Sequence, residues 1–123
     1  MSTRCDVFVK TKTKTIKLYR HTDGDPQTAG RKLHAICKFA DSERNIWKLC
    51  ETKPDVLPRL IVNVDSNFKI VGATTKESPD TDYQYFIDTE QKCIWCIEAG
   101  HGYFEDIDDP EDIIEDFIQL DRM

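Results

Sequence analysis

Apolar and polar residues alternate in two short runs at the start of the chain. In Cys5–Lys10, Val7 and Val9 fall on one side and Phe8 on the other; in Lys14–Arg20, Ile16 and Leu18 face one way. The polar link Thr11-Lys12-Thr13 makes these a β-hairpin, with lysines protecting a solvated edge. The period then changes. Leu33, Ile36, Cys37 and Ala40 recur at helical spacing, which predicts a helix over Gln27–Ala40, opened by Pro26 and weakened by Gly30 in its first turn. A shorter helix near Glu43–Glu51 presents Ile46, Trp47 and Cys50. Pro54 and Pro58 predict a loop from Lys53 to Pro58, because proline is excluded from a helix interior.

Leu60–Val64 and Phe68–Ala73 are β-prone, and Asp65-Ser66-Asn67 is good turn chemistry between them. After a loop over Thr74–Thr81, Tyr83–Asp88 and Lys92–Glu98 form a further hairpin around Thr89-Glu90-Gln91. Ala99-Gly100-His101-Gly102 reads as a mobile tip. Asp109 caps a last helix near Pro110–Leu120, with Ile113, Ile114, Phe117 and Leu120 as its apolar stripe. Consecutive hairpins interleaved with helices predict one α+β domain over residues 1–123. Its expected core is an antiparallel sheet of about six strands with two or three helices on one face.

A chain of 123 residues suits one domain. No apolar run approaches the ~18–20 residues of a membrane span, so no membrane partner is expected. Met1–Asp6 holds no apolar stretch of the secretory type, which together with an odd count of 5 cysteines predicts a reducing, cytoplasmic setting. Cys93-x-x-Cys96 lies in a strand-like run, where residues three apart point to opposite faces, so a zinc site is not expected and the thiols read as small core residues. No metal and no cofactor are called for.

The net charge of −6 conceals a strong polarity. Residues 1–48 carry 11 Lys/Arg against 5 Asp/Glu, and residues 77–123 carry 2 against 15. Such asymmetry marks a binding surface or two halves that neutralise each other. The acidic end argues against a general nucleic-acid binder, yet it suits contact with a basic groove on a protein partner.

The densest polar cluster is Tyr19-Arg20-His21-Thr22-Asp23-Gly24-Asp25-Pro26. Arg20 at a strand end can clamp a phosphate. His21 can donate to phosphate or act as a general base. Asp23 can orient His21 or accept from a ribose hydroxyl. Against this stands a plain turn, in which Asp23-Gly24 reverses the chain and the polar groups satisfy one another. Tyr83, Tyr85 and Trp95 supply aromatic faces for a base, or an ordinary aromatic core. No Gly-rich phosphate loop and no EF-hand register are present.

Met1-Ser2-Thr3-Arg4-Cys5-Asp6, Leu18–Pro26 with Gly30 and Leu33, and Asp82-Tyr83-Gln84-Tyr85 together resemble a group of small phage and bacterial proteins. Those open MSTRCN, carry YRHxDGYP, and later have an acidic residue followed by Y-x-Y. This chain departs at Asp6, where Asn is usual, and at Asp25, where Tyr is usual. The resemblance implies a phage or prophage setting. By analogy of scale, it implies a counter-defence protein such as the sponges that sequester cyclic nucleotide signals.

The expectation is therefore a non-enzymatic binding protein, with no catalytic residues, for a small phosphorylated nucleotide ligand. Arg4, Arg20 and His21 would meet phosphate, Asp23 a ribose hydroxyl, and Tyr83, Tyr85 or Trp95 a base, with Tyr19 beside them. A homo-oligomer is expected, since sponges place sites at subunit interfaces. The alternative is an acidic inhibitor of a host defence protein, acting through Asp108, Asp109, Glu111 and Asp112. A third reading is a small phosphoesterase using His21.

Overall fold

The computed structural model describes residues 3–98 and the strand 117–122. Two strands, β1 (Cys5–Lys10) and β2 (Thr15–Arg20), form the expected hairpin, closed by Thr11 N–H to Lys14 O at 2.9 Å. A single π-type turn over Pro26–Gly30 then leads into α1 (Arg31–Arg44), followed by α2 (Ile46–Thr52) and α3 (Val56–Val64). The chain returns to the sheet as β3 (Phe68–Ala73), β4 (Tyr83–Asp88), β5 (Cys93–Glu98) and β6 (Phe117–Arg122).

The sheet order is β3-β2-β1-β4-β5-β6. Its pairs are antiparallel except at the centre, where β1 and β4 run parallel, Val7 opposite Tyr85. The fold is thus α+β, but the sheet is mixed rather than antiparallel. The composition of β1 demands a central place: Cys5, Asp6, Val7 and Val9 are fully buried and Phe8 nearly so, a strand covered on both faces.

Residues of one parity (Val7, Val9, Leu18, Tyr85, Ile87, Cys96) pack against Leu33, Ile36 and Cys37 of α1, Trp47 of α2 and Leu57 and Ile61 of α3. The three helices therefore share one face. On the other face the rings of Phe8, Phe86 and Trp95 stack in series, with centroids 5.6 and 6.1 Å apart. The crossover from β3 to β4 is pinned to that second face, where Ser78 N–H donates to Asp6 Oδ2 at 2.7 Å. Lys17, also buried, lies 3.8 Å from Asp6 Oδ1.

Three expected elements are corrected. Leu60–Val64 is the end of α3, not a strand, and its supposed partner β3 pairs with β2 instead. Pro58 is compatible with this helix because it stands in the first turn, where the backbone N–H has no intrahelical acceptor. The break between the first two helices falls at Asn45 rather than near Asp41. Asn45 adopts the left-handed conformation (φ 50°), closes α1 through its N–H to Asp41 O, and accepts from Lys48 N–H to begin α2. Finally, Phe117–Leu120 belongs to β6 rather than to a helix. The rest of that expected helix, the tip at 99–102 and the acidic residues 108–112 lie outside the described residues. Among the described residues, no helix is long and apolar enough to cross a membrane.

Candidate functional site

The three segments that carry the family resemblance meet at one end of the sheet. β1 begins there, β2 ends there and β4 begins there, so Arg4, His21–Pro26 and Asp82-Tyr83 become neighbours. Gly24 N–H donates to Thr3 O at 2.9 Å, and Gly24 O accepts the Tyr85 hydroxyl at 2.7 Å. Asp82 N–H donates to Arg4 O, while Arg4 N–H donates to Asp82 Oδ2, at 2.9 and 3.0 Å. Asp25 O accepts from Thr28, Ala29 and Gly30 and so caps the π-type turn. Gly24 is dictated by space: a Cβ there would lie 2.9 Å from the backbone of Arg4 and Cys5.

Arg20 is the keystone. Its side chain is 1% exposed. Nε donates to Thr22 O and Nη1 to Asp65 Oδ2, both at 2.7 Å, and the guanidinium lies 4.6 Å from the Phe68 ring centroid. Asp65 also accepts from Lys32 Nζ at 2.9 Å and from the backbone N–H of Asn67. Burial works against its charge, but these donors outweigh burial and hold the carboxyl well below the ordinary carboxylate range.

The eight expected ligand contacts are thus dispersed. Arg20 and Tyr85 are interior and their polar atoms are engaged with the chain itself, which corrects their assignment to phosphate and base. Tyr19 and Trp95 lie on the sheet face away from Tyr83 and Tyr85. His21 is exposed, with Nδ1 3.0 Å from the Tyr19 hydroxyl. Asp23 is exposed in the left-handed conformation (φ 54°), as the turn requires. Arg4 and Tyr83 are half-buried and adjacent where β1 and β4 begin, Tyr83 N–H donating to Arg4 O at 3.3 Å, but their surroundings are acidic. Burial first, then Glu98, Asp25 and Asp82 among its neighbours, raise the Tyr83 pKa. An anion finds little support at this end.

Cys5, Cys37, Cys50 and Cys96 are interior as well, while Cys93 is half-buried. Burial pushes Cys50 up to about 11 and Cys96 up to about 12, and raises Cys5 further despite the opposing Arg20 charge. Thiols so disfavoured as thiolates are core residues, not nucleophiles. Among the described residues no group of three or more His, Cys, Asp or Glu is placed to hold a metal.

Positive charge gathers at the opposite end. A cavity of about 540 Å³ opens where α1, the α2–α3 link and α3 approach the β1–β2 turn. Lys14, Arg44, Lys53 and Arg59 line it, over an apolar floor that includes Val56 and Leu60. Asp55 is the one carboxylate in the lining, 3.6 Å from Lys14 and 4.0 Å from Arg59. These residues were not singled out in the sequence because they come from four separate segments. The excess of basic residues before residue 48 supplies only Lys14 and Arg44; Lys53 and Arg59 come from the following segment, which carried no signal of its own.

Comparison with protein-family models, curated proteins and solved structures returns no match.

Proposed function

We propose that this protein is a non-enzymatic binding protein for a small phosphorylated, nucleotide-type ligand, in the manner of phage sponges that hold a signal rather than convert it. The observation that carries this reading is the cavity lined by Lys14, Arg44, Lys53 and Arg59 against the single carboxylate of Asp55. Its charge suits phosphate, and Val56 and Leu60 offer the apolar surface a base or ribose needs. The proposed site is therefore the basic end rather than the Arg20–His21 end, where Arg20 and Tyr85 are bonded to the chain itself.

A retained ligand must leave the protein unchanged. Isothermal titration with AMP and GMP, followed by heat denaturation and chromatography of the released nucleotide, tests both points. Binding with intact nucleotide recovered is expected. Charge-assisted hydrogen bonds contribute about 1.5–3 kcal/mol each, so Lys53→Glu with Arg59→Glu should remove measurable binding, while His21→Ala leaves it intact. Recovery of dephosphorylated nucleoside would mean a phosphoesterase instead. Absence of binding to any nucleotide would sink the reading.

A further inference from the structure

The basic cavity holds one carboxylate among its cations, and its placement separates it from the other acids of the fold. Asp55 stands immediately before α3, yet its side chain makes no capping hydrogen bond to that helix. It is turned toward two cations from separate segments instead. Oδ1 lies 3.6 Å from Lys14 Nζ on the β1–β2 turn, and Oδ2 lies 4.0 Å from Arg59 Nη2 on α3. Both distances are longer than a hydrogen bond.

Asp65 is the contrast, a carboxylate committed to the fold. Arg20, Lys32 and the Asn67 N–H donate to it at 2.7, 2.9 and 3.0 Å. Asp55 is half exposed, and no described residue donates a hydrogen bond to its side chain. Its two oxygens therefore keep their capacity as acceptors. Half-exposed ion pairs add little stability, and a negative charge in this lining weakens the attraction of the cavity for an anion. Asp55 thus does little for the fold and works against a bare phosphate. Arg44 and Lys53, on the same lining, are exposed and form no ion pair among the described residues. An open acceptor flanked by unpaired cations matches a ligand that carries hydroxyl donors as well as phosphate.

We propose that Asp55 is the specificity-determining residue of this cavity: it accepts the ribose hydroxyls of the ligand while Arg44 and Lys53 meet its phosphate. The cavity then selects a ribonucleotide over a deoxyribonucleotide or a bare phosphate. This rests on the reading of the basic cavity as a nucleotide site and adds its ligand class. A carboxylate on ribose hydroxyls is the pairing by which dinucleotide-binding folds hold their sugar. The same group supplies discrimination of the negative kind, because an anion that brings no donor meets only its repulsion.

The test is isothermal titration of the full chain with AMP, 2′-deoxy-AMP and inorganic phosphate. The wild type is expected to prefer AMP to 2′-deoxy-AMP on the order of 10-fold, the value of one hydrogen bond to a charged acceptor. Asp55→Ala should erase that preference and at the same time tighten inorganic phosphate, two changes of opposite sign. Asp55→Asn, which loses the charge but keeps one carbonyl acceptor, should share the gain for phosphate and retain part of the preference. Both variants should melt close to the wild type, since the side chain is half exposed and caps nothing. A preference unchanged in Asp55→Ala, or AMP and phosphate tightening alike there, would make Asp55 a counter-ion only and overturn the assignment. Equal binding of AMP and 2′-deoxy-AMP by the wild type, lost in Lys53→Glu with Arg59→Glu, would also overturn it and leave the basic cavity standing as the nucleotide site. Absence of AMP binding overturns both readings.

Discussion

Asp65→Ala is the sharpest test of the Arg20 keystone. The substitution leaves a guanidinium that is 1% exposed without its carboxylate and leaves Lys32 without its acceptor. Arg20 cannot shed its proton to escape, and the Phe68 ring and Thr22 carbonyl compensate only in part. Removing one partner of a buried pair typically costs about 3–5 kcal/mol. A domain of this size has roughly 5–15 kcal/mol in all, so the loss is a large fraction of the total. The melting temperature should fall by roughly 10–20 °C. Lys32→Ala provides the internal contrast: its side chain is 48% exposed, so about 0–1 kcal/mol is expected. Urea denaturation of the three proteins at pH 7 measures both effects. The wild type should also lose stability in acid with a definite sign. The native carboxyl of Asp65 titrates below its unfolded value of about 3.9, so the unfolded chain binds the proton first. The contribution is complete above that unfolded value and is lost as pH falls below it toward the depressed native one; Asp65→Ala should flatten that limb. A cost for Asp65→Ala below about 1 kcal/mol, comparable to Lys32→Ala, would refute the assignment of Arg20 as a buried, charge-dependent support.

Other positions give separate checks. Gly24→Ala forces a Cβ against the Arg4–Cys5 backbone and should destabilise by about 1–3 kcal/mol in denaturant titration, whereas Asp23→Gly, at a positive φ, should be neutral or stabilising. Tyr85→Phe removes the hydrogen bond to Gly24 O and should cost about 0.5–1.5 kcal/mol, measured the same way. Native-state labelling with a thiol reagent at pH 8 should modify Cys93, which is half-buried, before Cys5, Cys50 and Cys96, which burial keeps protonated; mass spectrometry after digestion identifies the site.

Local pattern carried the elements whose partners are neighbours in sequence. The hairpins β1–β2 and β4–β5 were legible because alternation and a short polar link suffice. The α1 stripe at Leu33, Ile36, Cys37 and Ala40 was legible because its period is long enough to be unambiguous. α3 was not: Leu60-Ile61-Val62 has strand propensity, and only burial of Leu57 and Ile61 against the sheet selects the helix. The parallel pairing of β1 with β4, Cys5 opposite Tyr83, joins segments far apart in sequence, which no local rule contains, although the two-faced burial of Asp6, Val7 and Phe8 hints at a central strand. The candidate site was the least legible part. Each of its cations is an ordinary surface residue in sequence, and only the meeting of α1, α2, α3 and the β1–β2 turn concentrates them.

The segments that suggested a family resemblance and the residues proposed to bear on ligand binding are therefore different sets. Thr3-Arg4-Cys5, Arg20–Pro26 and Asp82–Tyr85 hold the ends of three strands together through Gly24 and Tyr85, and Arg20 ties the same end to the β3 side through Asp65. Such a clasp constrains sequence tightly for reasons of space and buried charge alone. Gly24 must lack a Cβ, and Arg20 must find its carboxylate. A sequence that meets these demands is marked as having this strand arrangement, whatever it binds. The two departures fit this view. Asp6 accepts from Ser78 N–H and lies beside Lys17, and Asp25 caps through its backbone carbonyl, which any side chain would leave in place. The clasp can thus stay fixed while the far end, built from exposed lysines and arginines on α1, α2, α3 and one turn, changes its charge at small cost in stability. If the proposed cavity is the binding site, substitutions at Lys14, Arg44, Lys53 and Arg59 should change ligand choice at little cost in stability, and those at Arg20, Gly24 and Asp65 should cost the most stability.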